Sequence, residues 1–297
     1  MSSHQVENQT SYEMESGTNT VCAFHQRVLG VPSSTRQVRY TTKAQFEQIY
    51  DEQLRLLSAD ITASRSPFLV FTHINPQVFE RDFYTDEKSI YDSFEHSLQL
   101  LVIKIPLTEH ERAVREFSRI LIRTLASMND VDLELDLLGS RDRDKASRMK
   151  RPDDQFIPKE LPPGYSGNWP TLVVEPGWAE SRAKLEKDAR WWLNSSEGEV
   201  KIALTVSVSR TQREIVMECW ELVDRATRLE PDRKAPAVTQ RVVLKQTTPN
   251  DPLISTNAPL VIDFAKLFLR EPNTNKGHGD VVLREGTLEY YALSVWR

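Results

Sequence analysis

The chain has 297 residues, 39% of them hydrophobic and 27% charged, with a formal net charge of −5. That length suits one large domain or one domain with an extension, and the composition is that of a soluble chain able to bury a core. The acidic balance excludes a global basic field for nucleic acid, so any phosphate contact must be local. Two cysteines, Cys22 and Cys219, exclude a disulfide scaffold and any zinc spacing, and fit a reducing compartment.

Residues 1–35 are polar, rich in Ser, Thr, Asn and Gln, and lack an apolar signal-type core; they are expected to form a disordered leader. Residues 36–97 read as an N-terminal extension packing on the main domain. Its helix near 43–58 places Phe46, Ile49, Tyr50, Leu54 and Leu57 at helical spacing behind Thr42 as cap. Pro67 to Phe71 reads as a short buried strand, and residues 72–96 as mixed.

The main domain is expected over 98–297. Leu98 to Ile105 is the longest apolar stretch, a strand far too short to cross a bilayer, so no membrane partner is expected. Thr108-Glu109-His110-Glu111 has the pattern of a capping box, opening a helix to about Met128 with Val114, Phe117, Leu121 and Leu125 on its apolar face. Val131 to Leu137 alternates apolar and acidic residues like a half-buried strand. Residues 140–151 read as a charged loop carrying Arg141, Arg143, Lys145, Arg148, Lys150 and Arg151 against Asp142 and Asp144. A short extended piece follows over 152–158.

Residues 169–209 organise the chain. Leu172-Val173-Val174 is a buried strand ending on Glu175; Pro176-Gly177 break it; a charged helix and a second apolar run, Val200 to Val208, follow. Glu214 to Leu222 completes a hairpin with that run. Val238 to Lys245 reads as a strand, Leu260 to Leu269 as strand or helix, and Thr287 to Trp296 as a helix.

Asp153 and Glu175 each sit at the edge of an extended segment. If those segments pair, both carboxylates converge on one divalent cation, which takes oxygen ligands and activates water against a phosphodiester. A solvated strand-end acid is the alternative reading of Glu175, a turn-stabilising acid that of Asp153, and Asp154 could replace Asp153.

Pro152-Asp153, the strand ending on Glu175, the helix Leu185 to Leu193 and the strand from Val200 together resemble the restriction-endonuclease-like PD-(D/E)XK superfamily. Within it they resemble the Uma-type endonucleases and their fungal relatives. The resemblance covers roughly 98–222 and rests on short motifs. It implies an α/β fold, a central mixed β-sheet flanked by helices, here with an N-terminal helical extension. It also implies Asp153 and Glu175 as ligands of Mg²⁺ or Mn²⁺, and an acid from the first helix, Glu111 or Glu116. The superfamily's lysine two residues after the acid is Gly177 here. The following helix offers Lys184, Lys187 and Arg190; an arginine clamps phosphate but cannot serve as a base.

Two further clusters point to nucleic acid. The basic residues of 141–151 lie beside Asp153 and would contact phosphates, or simply form a solvated mixed-charge loop. Trp169, Trp178, Trp191 and Trp192 crowd 24 positions; Trp192 shares the buried face of Leu185 and Ala189, which leaves Trp191 as the stacking candidate.

The expectation is therefore a metal-dependent nuclease with catalytic Asp153, Glu175, Arg190 and Lys184, or else a catalytically silent relative that binds nucleic acid or a protein. A homodimer fits either, in the cytoplasm or nucleus. No serine-nucleophile elbow or phosphate-cradling glycine loop is present.

Overall fold

The computed structural model describes residues 24–60, 64–84, 91–145, 147–209, 211–226 and 228–297. The expected disorder of the leader, and Cys22 with it, lies outside the described residues up to position 23. From there the chain is built in: residues 24–29 form a helical turn and Leu29 is buried.

The fold is α/β, with two mixed sheets and helices on their faces. The first sheet has six strands in the order β1 (Arg36–Arg39), β2 (Phe68–Thr72), β4 (Leu100–Lys104), β3 (Tyr91–Glu95), β7 (Arg148–Lys150), β6 (Arg143–Lys145). The boundary expected at Leu98 falls inside this sheet, and the N-terminal part contributes strands as well as its helix. That helix, α1 (Lys43–Ser58), starts where its cap places it, the Thr42 hydroxyl accepting from the Gln45 N–H at 3.2 Å. Its apolar face packs Phe46, Ile49 and Leu57 onto Leu69, Phe71 and Ile103.

The second sheet runs β13 (Ile254–Thr256), β12 (Lys234–Gln246), β11 (Arg213–Asp224), β10 (Ile202–Val208), β9 (Leu172–Trp178), β8 (Asp154–Pro158), β5 (Leu135–Leu137). Only β9 and β10 pair in parallel here, joined through α4 (Arg182–Ser195), as a strand–helix–strand crossover requires. After the short α2 (Pro76–Phe79), the long helix α3 (Thr108–Ala126) covers one face of this sheet together with the C-terminal helix α6 (Glu285–Val295), which follows the short α5 (Phe264–Phe268); they meet Leu172, Val174 and Leu204. Helix α4 covers the other, where Ala189, Trp192 and Leu193 meet Val173 and Ala203. Alternation along β9 thus turns Leu172 and Val174 one way, and Val173 and Glu175 the other.

Five expectations need correction. Pro176 and Gly177 do not break the strand after Glu175; β9 runs on to Trp178, paired in parallel with β10 along its whole length. Val131–Glu134 is a 3-10 turn and only Leu135–Leu137 is strand; Leu133 is exposed on the turn and Leu137 on β5, a sheet edge. The charged loop is the hairpin β6–β7, paired onto β3. The mixed stretch before Leu98 hides β3, a strand buried throughout that carries Asp92. The capping box is absent, since α3 is preceded by Leu107 and no side chain caps it.

Candidate functional site

The two sheets meet along α4, and the seam between them is ionic. Strands β8 and β9 are antiparallel with Asp154 opposite Val174, so one further position sets Asp153 opposite Glu175. The two acids are cross-strand neighbours whose charges oppose one another: Asp153 helps to push the Glu175 pKa up.

Asp153 faces a cleft of about 230 Å³ lined also by Tyr91, Lys104, His110, Glu111 and Arg151. Its Oδ2 accepts from Lys104 Nζ at 2.6 Å, and the same ammonium donates to the Pro176 carbonyl at 2.6 Å. His110 Nε2 stands 3.2 Å from Asp153 Oδ1, within ion-pair range but off the hydrogen-bonding direction. Burial opposes the charge on Asp153; Lys104 and His110 outweigh it and hold the carboxyl below its usual range. Burial likewise opposes the Lys104 ammonium, and Asp153, Glu175 and Asp92 outweigh it, so its pKa is raised.

Glu175 is 1% exposed. Its Oε1 accepts from the Trp192 indole N–H at 2.6 Å and lies 3.3 Å from Lys150 Nζ. Burial is the largest influence and pushes its pKa to about 8, against the pull of Lys150. Lys104, Lys150 and Lys184 contact Asp92, Asp153 and Asp188, and His110 faces Asp153, so the seam is a network of paired charges around Glu175.

Lys184 is turned into this seam, 1% exposed, with Nζ 2.7 Å from Asp92 Oδ2 and 2.6 Å from Asp188 Oδ2. Arg190 is on the outer side of α4, bonded to Glu186 and lying 5.3 Å from the Trp220 ring. The structure thus brings Asp153, Glu175 and Lys184 into one cluster and sends Arg190 elsewhere. Asp154 faces α3, bonded to Ser118, and does not join Asp153. Glu111 lies 3.7 Å from His110 at the cleft, whereas Glu116 pairs with Arg119.

The basic stretch 141–151 is folded inward more than its composition suggested. Lys150 is fully buried on Asp92, Glu175 and Asp188, so its ammonium is not offered to a phosphate in solvent. Arg143 is buried and donates to Gln155 Oε1 at 3.1 Å. Arg148 pairs with Glu95, Arg151 with Asp142 and Lys145 with Glu197, while Arg141 is exposed. Trp191 is half-buried in a tryptophan cluster, 5.7 Å from Trp169 and 4.8 Å from Trp192.

Sequence reasoning missed Asp92, Lys104 and Asp188. Lys104 carries the one available signal, a lone cation inside an aliphatic run. Such a residue in a buried strand needs a counter-charge.

The structure also explains Gly177. A Cβ there would come within 3.0 Å of Leu185 Cδ2, and within 3.2 Å of two more Leu185 carbons. A side chain at this position requires the Leu185 side chain on α4 to shift by a few tenths of an ångström. Lys104 brings its ammonium to the neighbouring carbonyl from the other sheet.

Among the described residues, no group of three or more His, Cys, Asp or Glu side chains is arranged to hold a metal ion, and no helix is long and apolar enough to cross a membrane. No family model matches the chain, and no curated protein does. The chain is similar to the solved structure of a "putative nuclease belonging to DUF820" from Anabaena variabilis, at 9% identity and a TM-score of 0.37, over 70% of this chain and 95% of that one.

Proposed function

We propose that the chain is a nuclease-like α/β module in which the Lys104 ammonium takes the place of a divalent ion, so that it binds nucleic acid without cleaving it. One observation carries this reading: Lys104 Nζ lies 2.6 Å from both the Asp153 carboxylate and the Pro176 carbonyl, beside Glu175. Carboxylate and carbonyl oxygens are the donors that Mg²⁺ or Mn²⁺ takes. The donor chemistry therefore fits the metal that the PD-(D/E)XK resemblance, and its Uma-type branch, would imply. The occupancy does not, because an ammonium and a divalent ion repel strongly at such a distance in a poorly screened site. A protonated Glu175 is a poor ligand as well.

In this reading the chain's own groups have binding roles. Lys104 neutralises Asp153, and Asp153 stabilises the charge on His110. Lys184 holds Asp92 and Asp188 and stabilises the seam.

The second reading is the metal-dependent nuclease, with Asp153 and Glu175 as ligands of Mg²⁺ or Mn²⁺. It is favoured by the cleft, which leaves the Asp153 side chain 17% exposed and within reach of solvent ions. Plasmid and single-stranded DNA incubated with Mg²⁺ or Mn²⁺ separate the two. The proposal expects intact substrate with wild type and with Glu175→Ala. Cleavage by wild type that Glu175→Ala abolishes would establish the second reading.

A further inference from the structure

We propose that the exposed face of α3, with the groove it forms against α6, is the docking surface for single-stranded nucleic acid. This rests on the nucleic-acid-binding part of the preceding reading and assigns it to a surface other than the Asp153 cleft and the 141–151 hairpin.

Arg112, Arg115, Arg119 and Arg123 are spaced three, four and four residues apart, so they share one face of α3. The opposite face is the buried one, with Ala113, Phe117 and Leu121. The arginines span roughly 16 Å along the axis, about 1.5 Å per residue. The Arg115 side chain is 83% exposed and that of Arg119 44%. Glu111 lies beside Arg115 and Glu116 beside Arg119, so the face keeps a surplus of positive charge although the whole chain is acidic.

At the C-terminal half of this face lies a groove of about 400 Å³ lined by Arg119, Arg123, Thr124, Ser127, Thr287 and Tyr290, among others; no carboxylate lines it. Tyr290 is 43% exposed, and the Arg119 guanidinium lies 4.9 Å from its ring centroid. The platform is held rigidly, because the next residue, Tyr291, is buried and donates to the Ala113 carbonyl at 3.2 Å.

Arginines for phosphates beside a partly exposed aromatic ring for a base, one face of which already carries Arg119, match the alternation of charge and ring in an unpaired strand. An acidic protein would use the arginines and leave Tyr290 idle. A duplex, its bases stacked on one another, would not reach the ring.

The test is fluorescence anisotropy of a labelled ten-residue oligothymidylate with the full chain in EDTA. Wild type is expected to bind, more weakly as salt rises. Arg119→Gln and Arg123→Gln should each weaken binding several-fold and reduce the salt slope by about 0.7. Arg123→Lys should keep that slope. Tyr290→Ala should weaken binding about ten-fold with the slope unchanged. Wild-type binding that these variants leave intact would overturn the surface and spare the binding reading. No binding by wild type would overturn both. Displacement of the oligonucleotide by polyglutamate as readily as by unlabelled oligonucleotide would overturn it in favour of an acidic protein partner.

Discussion

Lys104 and Asp153 lie 49 positions apart, one ending β4 of the first sheet and the other just before β8 of the second, and their side chains meet at 2.6 Å. Both are largely buried, with side-chain exposures of 11% and 17%. Removing one member of such a pair leaves the other uncompensated and typically costs about 3–5 kcal/mol. Lys104→Met should destabilise the protein by that order in urea at pH 7; a loss under about 1 kcal/mol would show the pair to be dispensable. Because Asp153 is held below its usual range, its contribution is full above its unfolded pKa and is lost as the pH falls through the lower folded value. The variant should therefore lose part of the wild type's acid sensitivity.

Glu175 works in the opposite sense. Its folded pKa is raised from 4.5 to about 8, so between those values the unfolded chain is ionised while the folded chain keeps the proton. The unfolded state then binds fewer protons, and this group lowers stability as the pH rises from about 4.5 to 8. Glu175→Gln imitates the protonated acid. It should match wild type near pH 5 and exceed it by more than about 1 kcal/mol at pH 8, since each unit of pKa difference is worth about 1.4 kcal/mol. Equal pH profiles in thermal or urea melts would mean that Glu175 is ionised in the fold.

Two cations on α4 differ in environment. Lys184 is enclosed by Asp92 and Asp188, and Lys184→Met should cost about 3–5 kcal/mol. Arg190 makes a surface pair with Glu186, its side chain 45% exposed, and Arg190→Gln should stay within about 0.5–1 kcal/mol. Comparable losses in the two variants would contradict the burial that distinguishes them.

Gly177→Ala tests the close approach of α4. The added Cβ meets Leu185 at 3.0–3.2 Å, so overpacking should cost about 1–3 kcal/mol, and Gly177→Lys more. A Gly177→Lys protein with wild-type stability would show that the motif lysine fits after all.

Much of this architecture is legible in the sequence. The helix after Thr42, the strand opened by Leu172 and the hairpin of β10 and β11 follow from periodicity and capping, which are local; the end expected on Glu175 does not, because Pro176 and Gly177 continue the strand in register with β10. The opposition of Asp153 and Glu175 follows from pairing two edge segments. What escapes is set by distant partners. Asp92 and Lys150 look like solvent residues in short polar runs, and only the seam between the sheets reveals that each neutralises the other. The basic hairpin reads as a loop because its strands are three residues long and gain their pairing from β3. The alternation of 131–137 is genuine but lies at a sheet edge, where nothing covers Leu133 and Leu137.

Mn²⁺ binding followed by the loss of the free-ion paramagnetic resonance signal tests the replacement of metal by ammonium most directly. Wild type at neutral pH should leave added Mn²⁺ free up to millimolar concentrations. Lys104→Met should take up one ion per chain, and Mn²⁺ should recover part of the stability lost, as a ligand of the native state must. Stoichiometric uptake by wild type, abolished by Glu175→Ala or Asp153→Asn, would contradict the account and restore the metal to the site.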